Sequence, residues 1–141
     1  MILLDTDHLT AVVDERHSAH SGLIARLAAR DEDQAVPVIC VEEQCQGWLA
    51  KLHRTRDIQQ QIVPYERLAD LFDFLAEWDI LSLSEAAANL FAELRQQKVR
   101  VGSQDLKIAA IAMTKDALLL SANLRDFQKV PGLRVENWLH E

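Results

Sequence analysis

Four short apolar runs, each too short to form a helix of its own, alternate with stretches whose apolar residues return at helical spacing. The runs are Ile2 to Leu4, Val36 to Ile39, Ile80 to Leu83 and Ala117 to Leu120, with a last candidate strand at Leu133 to Glu136. Continuous apolar runs of this length read as strands buried on both faces. Between them, Leu23, Ile24, Leu27 and Ala28 repeat at helical spacing within His17 to Arg30. Val41, Cys45, Trp48, Leu49 and Leu52 form the stripe of a helix ending near Thr55 to Asp57. Ile58, Ile62, Leu68, Leu71, Phe72, Leu75 and Trp78 form the next stripe, and Pro64 either kinks that helix or marks the first turn of its main part. These two helices read as a hairpin. Ser84 is a plausible N-cap for a helix facing inward through Ala87, Leu90, Phe91 and Leu94, and Ser103 for one running through Leu106, Ile108, Ala109, Ile111 and Ala112. Alternating strands and helices predict an α/β fold with a mostly parallel sheet and helices on both faces.

Composition narrows the class. A chain of 141 residues, 49% hydrophobic and 26% charged, has the make-up of a globular protein and is long enough to bury a core without disulfide or metal staples. With no linker, repeat or biased segment, residues 1–141 read as one domain. No apolar run approaches the roughly 20 residues of a membrane span, and the N-terminus lacks a basic region followed by a long apolar one, so a cytoplasmic address and no membrane partner are expected. Cys40 and Cys45 fit neither a redox nor a zinc motif and read as buried, inert thiols. The five histidines build no metal motif and read as surface residues, and the Trp and Phe side chains read as core packing. The net charge of −7 argues against nucleic-acid binding through the whole surface and leaves room for a local basic groove.

Parallel α/β sheets gather their functional groups beyond the carboxyl ends of the strands, which directs attention to acids in the strand-to-helix junctions. Asp5 follows the first run directly, although it, Thr6 or Asp7 can each cap the next helix, and Asp7 is the preferred cap. Glu42 and Glu43 open the third helix. Glu43 points away from the Val41, Cys45, Leu52 stripe, and Gly47 lies one turn beyond it, where a helix-interior glycine suggests close approach of another group. Asp105 lies in the first turn of the helix capped by Ser103. Each acid alone is explained by capping or the helix dipole. Together they would repel one another unless a hard divalent ion sat among them, and oxygen donors suit Mg²⁺ or Mn²⁺.

The segments LLDTDHL, VEEQCQGW with its E-x-x-x-G spacing, GSQDLKIAAIA and LLLSANLRDFQKVPGLRVENW resemble, in order and spacing, those of a PIN domain, specifically a VapC-type toxin ribonuclease. The resemblance spans the chain. It implies a three-layer α/β/α domain with a helical hairpin insertion, and a cytoplasmic, metal-dependent endoribonuclease. Such an enzyme is the toxin of a type II toxin–antitoxin pair, cuts structured RNA such as tRNA or rRNA, commonly forms a homodimer and is inhibited by a cognate antitoxin. Carried over by motif, Asp5, Glu43 and Asp105 are the catalytic and metal-binding acids, with Glu42 the runner-up at the second position. Where many members carry a fourth acid this chain has Asn123, three residues before Asp126, and both are further candidate ligands.

On that reading Asp5 and Asp105 hold the ion, Glu43 orients or deprotonates the attacking water, and Lys51, Arg54, Arg56, Arg95, Lys98, Arg100, Lys107 and Arg125 are candidates for a phosphate track. Two alternatives stand beside it. One is a non-catalytic binding module whose acids are only caps, with the hairpin around Trp48 and Tyr65 as its surface. The other is a PIN nuclease acting in RNA or DNA processing rather than as a toxin.

Overall fold

The computed structural model describes residues 1–140. Its centre is a five-stranded sheet formed by β1 (Ile2–Leu4), β2 (Gln34–Pro37), β3 (Asp79–Leu81), β4 (Leu118–Leu120) and β5 (Arg134–Glu136), in the order β3-β2-β1-β4-β5. All four pairings are parallel, with Leu3 opposite Ala35 on one side and Leu119 on the other. The expected parallel α/β fold is present. Ile2, Leu3 and Leu4 of β1 and Leu119 and Leu120 of β4 have no exposed surface, which explains their uninterrupted apolar runs. β3 lies at the sheet edge, where Ile80 keeps 43% exposure.

Among the described residues seven α-helices surround the sheet: α1 (Thr6–Val13), α2 (His20–Ala28), α3 (Val38–Arg54), α4 (Ile62–Leu75), α5 (Glu85–Gln96), α6 (Ser103–Thr114) and α7 (Leu124–Phe127). α1 packs on α2, α3 and α4, whereas α5 packs on α6 and α6 on α7. Right-handed crossovers put these two groups on opposite faces of the sheet. α3 and α4 form the expected hairpin, joined through a 3-10 turn at Ile58–Gln61. Pro64 is the third residue of α4 and sits in its first turn, where its missing N–H costs nothing. α6 buries Leu106 and every residue from Ile108 to Ala112, as a helix enclosed on nearly all sides must. No helix among the described residues is long and apolar enough to cross a membrane.

Several local expectations are corrected. The second strand ends at Pro37, and Val38 and Ile39 already belong to α3, so Glu42 and Glu43 lie in its second turn rather than at its start. Gly102, not Ser103, is the N-cap position of α6. That helix follows α5 rather than a strand, so Asp105 is not at a strand-to-helix junction. Of the α3 stripe only Leu52 is buried, and Leu49 is 45% exposed. His8 is fully buried, contrary to the surface reading, and Cys45 is only partly covered.

Candidate active site

The chain runs outward from β1 to β2 and β3, then returns to β4 beside β1 and continues to β5. The reversal leaves a crevice beyond the carboxyl ends of β1 and β4, the usual ligand position in open α/β sheets. Asp5 follows β1 and Ser121 follows β4. They are held together there: Asp5 N–H donates to the Leu120 carbonyl at 2.9 Å, and Ser121 Oγ–H donates to Asp5 Oδ2 at 2.6 Å. The other carboxylate oxygen accepts from Thr6 N–H at 2.7 Å, so Asp5, and not Asp7, caps α1. The cap and the candidate site residue are the same side chain, only 6% exposed.

Glu43 approaches from α3, and its Oε1 accepts from Thr6 Oγ–H at 3.0 Å. Asp105 enters from the first turn of α6. The α3 and α6 helices meet across the mouth of the crevice, where Gln104 Nε2 donates to Glu42 Oε1 at 2.8 Å. Glu42 is thereby committed to an exposed inter-helix contact, and Glu43 is the acid turned toward Asp5. Asn123 donates through its amide to Asp105 at 3.2 Å and to Asp126 at 3.1 Å, and its backbone N–H donates to Ser121 Oγ at 3.0 Å. Asp126 reaches the cluster only through Asn123 and bonds Lys129 at 3.2 Å on its outer side.

The electrostatics follow from burial and from this crowding. Burial is the largest cause raising the carboxyls of Asp5 and Glu43 above their ordinary range, partly opposed by the Ser121 and Thr6 hydroxyls. Asp105 is pushed up to about 6, first by burial and then by the charges of Asp5, Glu43 and Asp126. Asp126, exposed and bonded by Asn123 and Lys129, is held below its usual value.

Three residues carry more of this arrangement than the sequence suggested. Ser121 is fully buried, and its signal was its place directly after β4, the neighbour of the strand that delivers Asp5. Cys40 lies in the cluster, with Sγ 3.7 Å from Asp5 Oδ1, and burial followed by the Asp5 charge pushes its thiol well above the ordinary range. Asp7 accepts from Ala122 N–H at 2.9 Å and is bonded to His8 Nδ1 at 2.5 Å, while Trp138 N–H donates to His8 Nε2 at 3.0 Å. This chain of bonds ties the C-terminal segment to the loop that carries Ser121 and Asn123.

The arrangement suits a cation. Donor atoms of Asp5, Cys40 and Glu43 lie within 4.8 Å of one another, and Asp105 lies outside that set but within electrostatic reach. Mutually repelling, half-dehydrated carboxylates are stabilised together by a positive charge.

A model of the PIN domain matches residues 2–133. The chain belongs to the PIN domain family. Among curated proteins it is 39% identical over 80 residues to "Ribonuclease VapC2" of Haemophilus influenzae, an alignment covering 54% of this chain and 61% of that protein. It is 30% identical over 84 residues to "tRNA(fMet)-specific endonuclease VapC" of Salmonella typhimurium, covering 57% and 64%. The matched segments thus span less than two thirds of these relatives. Among solved structures, FitAcB from Neisseria gonorrhoeae aligns over 100% of both chains with a TM-score of 0.75 at 22% identity. VapBC2 from Rickettsia felis, bound to a DNA fragment from its promoter, aligns over 98% of this chain and 99% of that chain with a TM-score of 0.72 at 24% identity. These likenesses establish the PIN fold for nearly the whole chain.

The raised Asp105 carboxyl has a consequence for the metal-free protein. The folded state holds this proton more tightly than the unfolded chain, whose value is near 3.8, and therefore binds more protons between about pH 4 and 6. Stability contributed by this group falls as pH rises through that interval. For a half-exposed carboxylate, solvent screening leaves on the order of 1 kcal/mol. In EDTA, the melting temperature of the wild type is expected to drop relative to Asp105→Asn from pH 4 to 7, with the two curves parallel above pH 7. Parallel curves over the whole range would refute the assignment.

Proposed function

We propose that this PIN domain is a divalent-metal-dependent endoribonuclease acting as the toxin of a toxin–antitoxin pair. The observation that carries the reading is the convergence of Asp5, Glu43 and Asp105 at the crevice, where burial first and the neighbouring negative charges second push Asp105 up to about 6. A scaffold has no use for such repulsion. The names of the curated relatives support RNA as the substrate, and one of them supports tRNA. Neighbours described as toxin–antitoxin complexes support an antitoxin partner, and the family resemblance supports a homodimer.

Asp5, Asp105 and Glu43 would hold Mg²⁺ or Mn²⁺, because carboxylate oxygens predominate among the donors beside the single Cys40 sulfur, with Asn123 bonded through its amide to Asp105 and Asp126 an outer charge. When bound, such an ion polarises the phosphoryl oxygen, lowers the pKa of a coordinated water and neutralises developing negative charge. The chain's own residues do the rest. Thr6 Oγ–H fixes the Glu43 carboxylate, which is placed to accept a proton from the attacking water, and its raised affinity for protons suits a general base. Ser121 and the Thr6 amide fix Asp5, and Asn123 fixes Asp105.

The test is cleavage of a total-RNA pool by the purified chain with Mg²⁺ or Mn²⁺, freed of any copurifying partner, against EDTA. Discrete fragments that vanish in EDTA are expected, and their absence at every metal concentration would favour the binding-module reading. Ser121→Ala gives a finer readout. Removal of a bond that orients a metal ligand is expected to weaken Mn²⁺ binding by about 10- to 100-fold in calorimetry, and unchanged affinity would deny Ser121 that role.

A further inference from the structure

A groove of about 390 Å³ opens beside Glu43, lined by Thr6, Glu43, Gln44, Gly47, Trp48, Lys51 and Arg54. Its floor is one face of α3. Residues 44, 47, 51 and 54 recur every three or four positions, with 48 one turn from 44 and from 51, a stripe that leads from the acidic cluster toward the end of the helix, about 16 Å from Glu43 to Arg54. Three features of this stripe are unexplained by folding. Trp48 was expected in the core, yet it is absent from the core cluster and lines the groove. A Cβ at Gly47 would meet nothing within 4 Å, so internal packing does not require glycine there, and the missing side chain leaves the groove floor open. Lys51 and Arg54 are exposed and form no ion pair among the described residues, in a chain of net charge −7.

We propose that this groove is the subsite for an unpaired nucleotide next to the scissile phosphate, with a base stacked on Trp48 and the adjoining phosphates held by Lys51 and Arg54. The proposal rests on the nuclease reading and adds to it a strandedness and a set of contacts. Trp48 is half-buried and turns part of its ring to the groove; an indole presented in this way stacks any base, whereas the bases of a duplex already cover one another and offer no face to it. Lys51 Nζ stands over the Trp48 ring, 5.7 Å from its centroid, on a flexible four-carbon stem that can swing from the ring to a phosphate when a base takes its place. The order of groups along α3 matches a strand: Glu43 of the acidic cluster at the phosphate to be cut, then an open floor at Gly47, the Trp48 ring and two cations.

Binding is separated from cleavage by working in EDTA with a short fluorescein-labelled single-stranded RNA and its duplex, followed by anisotropy. Wild type is expected to prefer the single strand. Trp48→Ala should weaken single-strand binding by about 5- to 150-fold, the range of one lost base stack, and Trp48→Phe should restore most of it. Lys51→Gln with Arg54→Gln should reduce the slope of log affinity against log salt by about 1.4, as two lost single-strand phosphate contacts require. In the metal-supplemented assay Trp48→Ala should raise KM and leave kcat within a few-fold.

If Trp48→Ala and the double variant bind and cleave as wild type does while Asp105→Asn is inactive, the nuclease stands and the subsite falls. If wild type binds the single strand through Trp48 and cuts nothing under any metal, the subsite stands as a binding groove and the nuclease reading falls. Preference for the duplex, or binding of an acidic peptide but not RNA in a Trp48-dependent manner, overturns the proposal in favour of a different occupant.

Discussion

Asp5→Asn is expected to lower metal-dependent RNA cleavage by at least on the order of 10³-fold while leaving the protein folded and, in EDTA, no less stable than the wild type. The two halves of this expectation have different causes. Activity falls because the site loses the carboxylate nearest its centre, and a metal held less firmly forfeits several kcal/mol of transition-state stabilisation, about 1.4 kcal/mol for each tenfold in rate. The fold survives because asparagine is as good an N-cap as aspartate, so Thr6 N–H keeps an acceptor at the start of α1. Stability in EDTA does not fall because the substitution removes a buried charge that burial and Asp7 already disfavour. Cleavage rates and thermal melts on one preparation separate the two. An Asp5→Asn protein that cuts RNA within about tenfold of the wild type, over a range of Mg²⁺ and Mn²⁺ concentrations, would remove Asp5 from the site, and an unfolded one would reduce it to a cap.

The same residue shows how far the sequence could be read. A three-residue apolar run ended by an acid points to a buried strand and to a carboxylate at the edge where parallel sheets gather functional groups, with helix capping as its other role, and Asp5 fills that role too. The sheet was legible for the same reason, since Ile2 to Leu4 and Ala117 to Leu120 are buried on both faces and admit no polar interruption. The route by which Asp105 arrives was not legible. It rides on a helix that follows another helix, and only the packing of α6 against α3 brings it to the crevice. The burial of His8 was hidden because its partners, Asp7 and the Trp138 backbone, are one adjacent and one 130 residues away. Trp48 was misread because a stripe of apolar residues on α3 looks the same whether it faces the core or a groove. The length of α3 decides the matter: a helix of 17 residues lies over strands of three or four and extends beyond the sheet.

Phe127→Ala is expected to destabilise the protein by about 3–5 kcal/mol, a large share of the roughly 5–15 kcal/mol that holds a domain together. Phe127 has no exposed surface and is the only buried residue of α7, a helix of four residues that cannot persist by its own hydrogen bonds. The short helix that carries it packs on α6 and β5, so the segment between β4 and β5 is held through the one side chain that α7 buries. Truncation removes the ring's burial and leaves a cavity that a short helix between two fixed strands cannot close. Phe127→Leu, which keeps much of the volume, should cost less than about 1.5 kcal/mol. Urea denaturation checks both values, with the midpoint shifting and the slope unchanged if the loss is one of native-state packing. The consequence reaches the site because Asn123, at the N-cap position of α7, is the residue that bonds both Asp105 and Asp126. Where Phe127→Ala is still folded, Asp105 should lose the amide that favours its charged form, and the stability advantage of Asp105→Asn near pH 7 should widen in this background. A loss below about 1 kcal/mol, or an advantage identical in both backgrounds, would mean that α7 is held by other contacts and that Asn123 keeps its place without the ring.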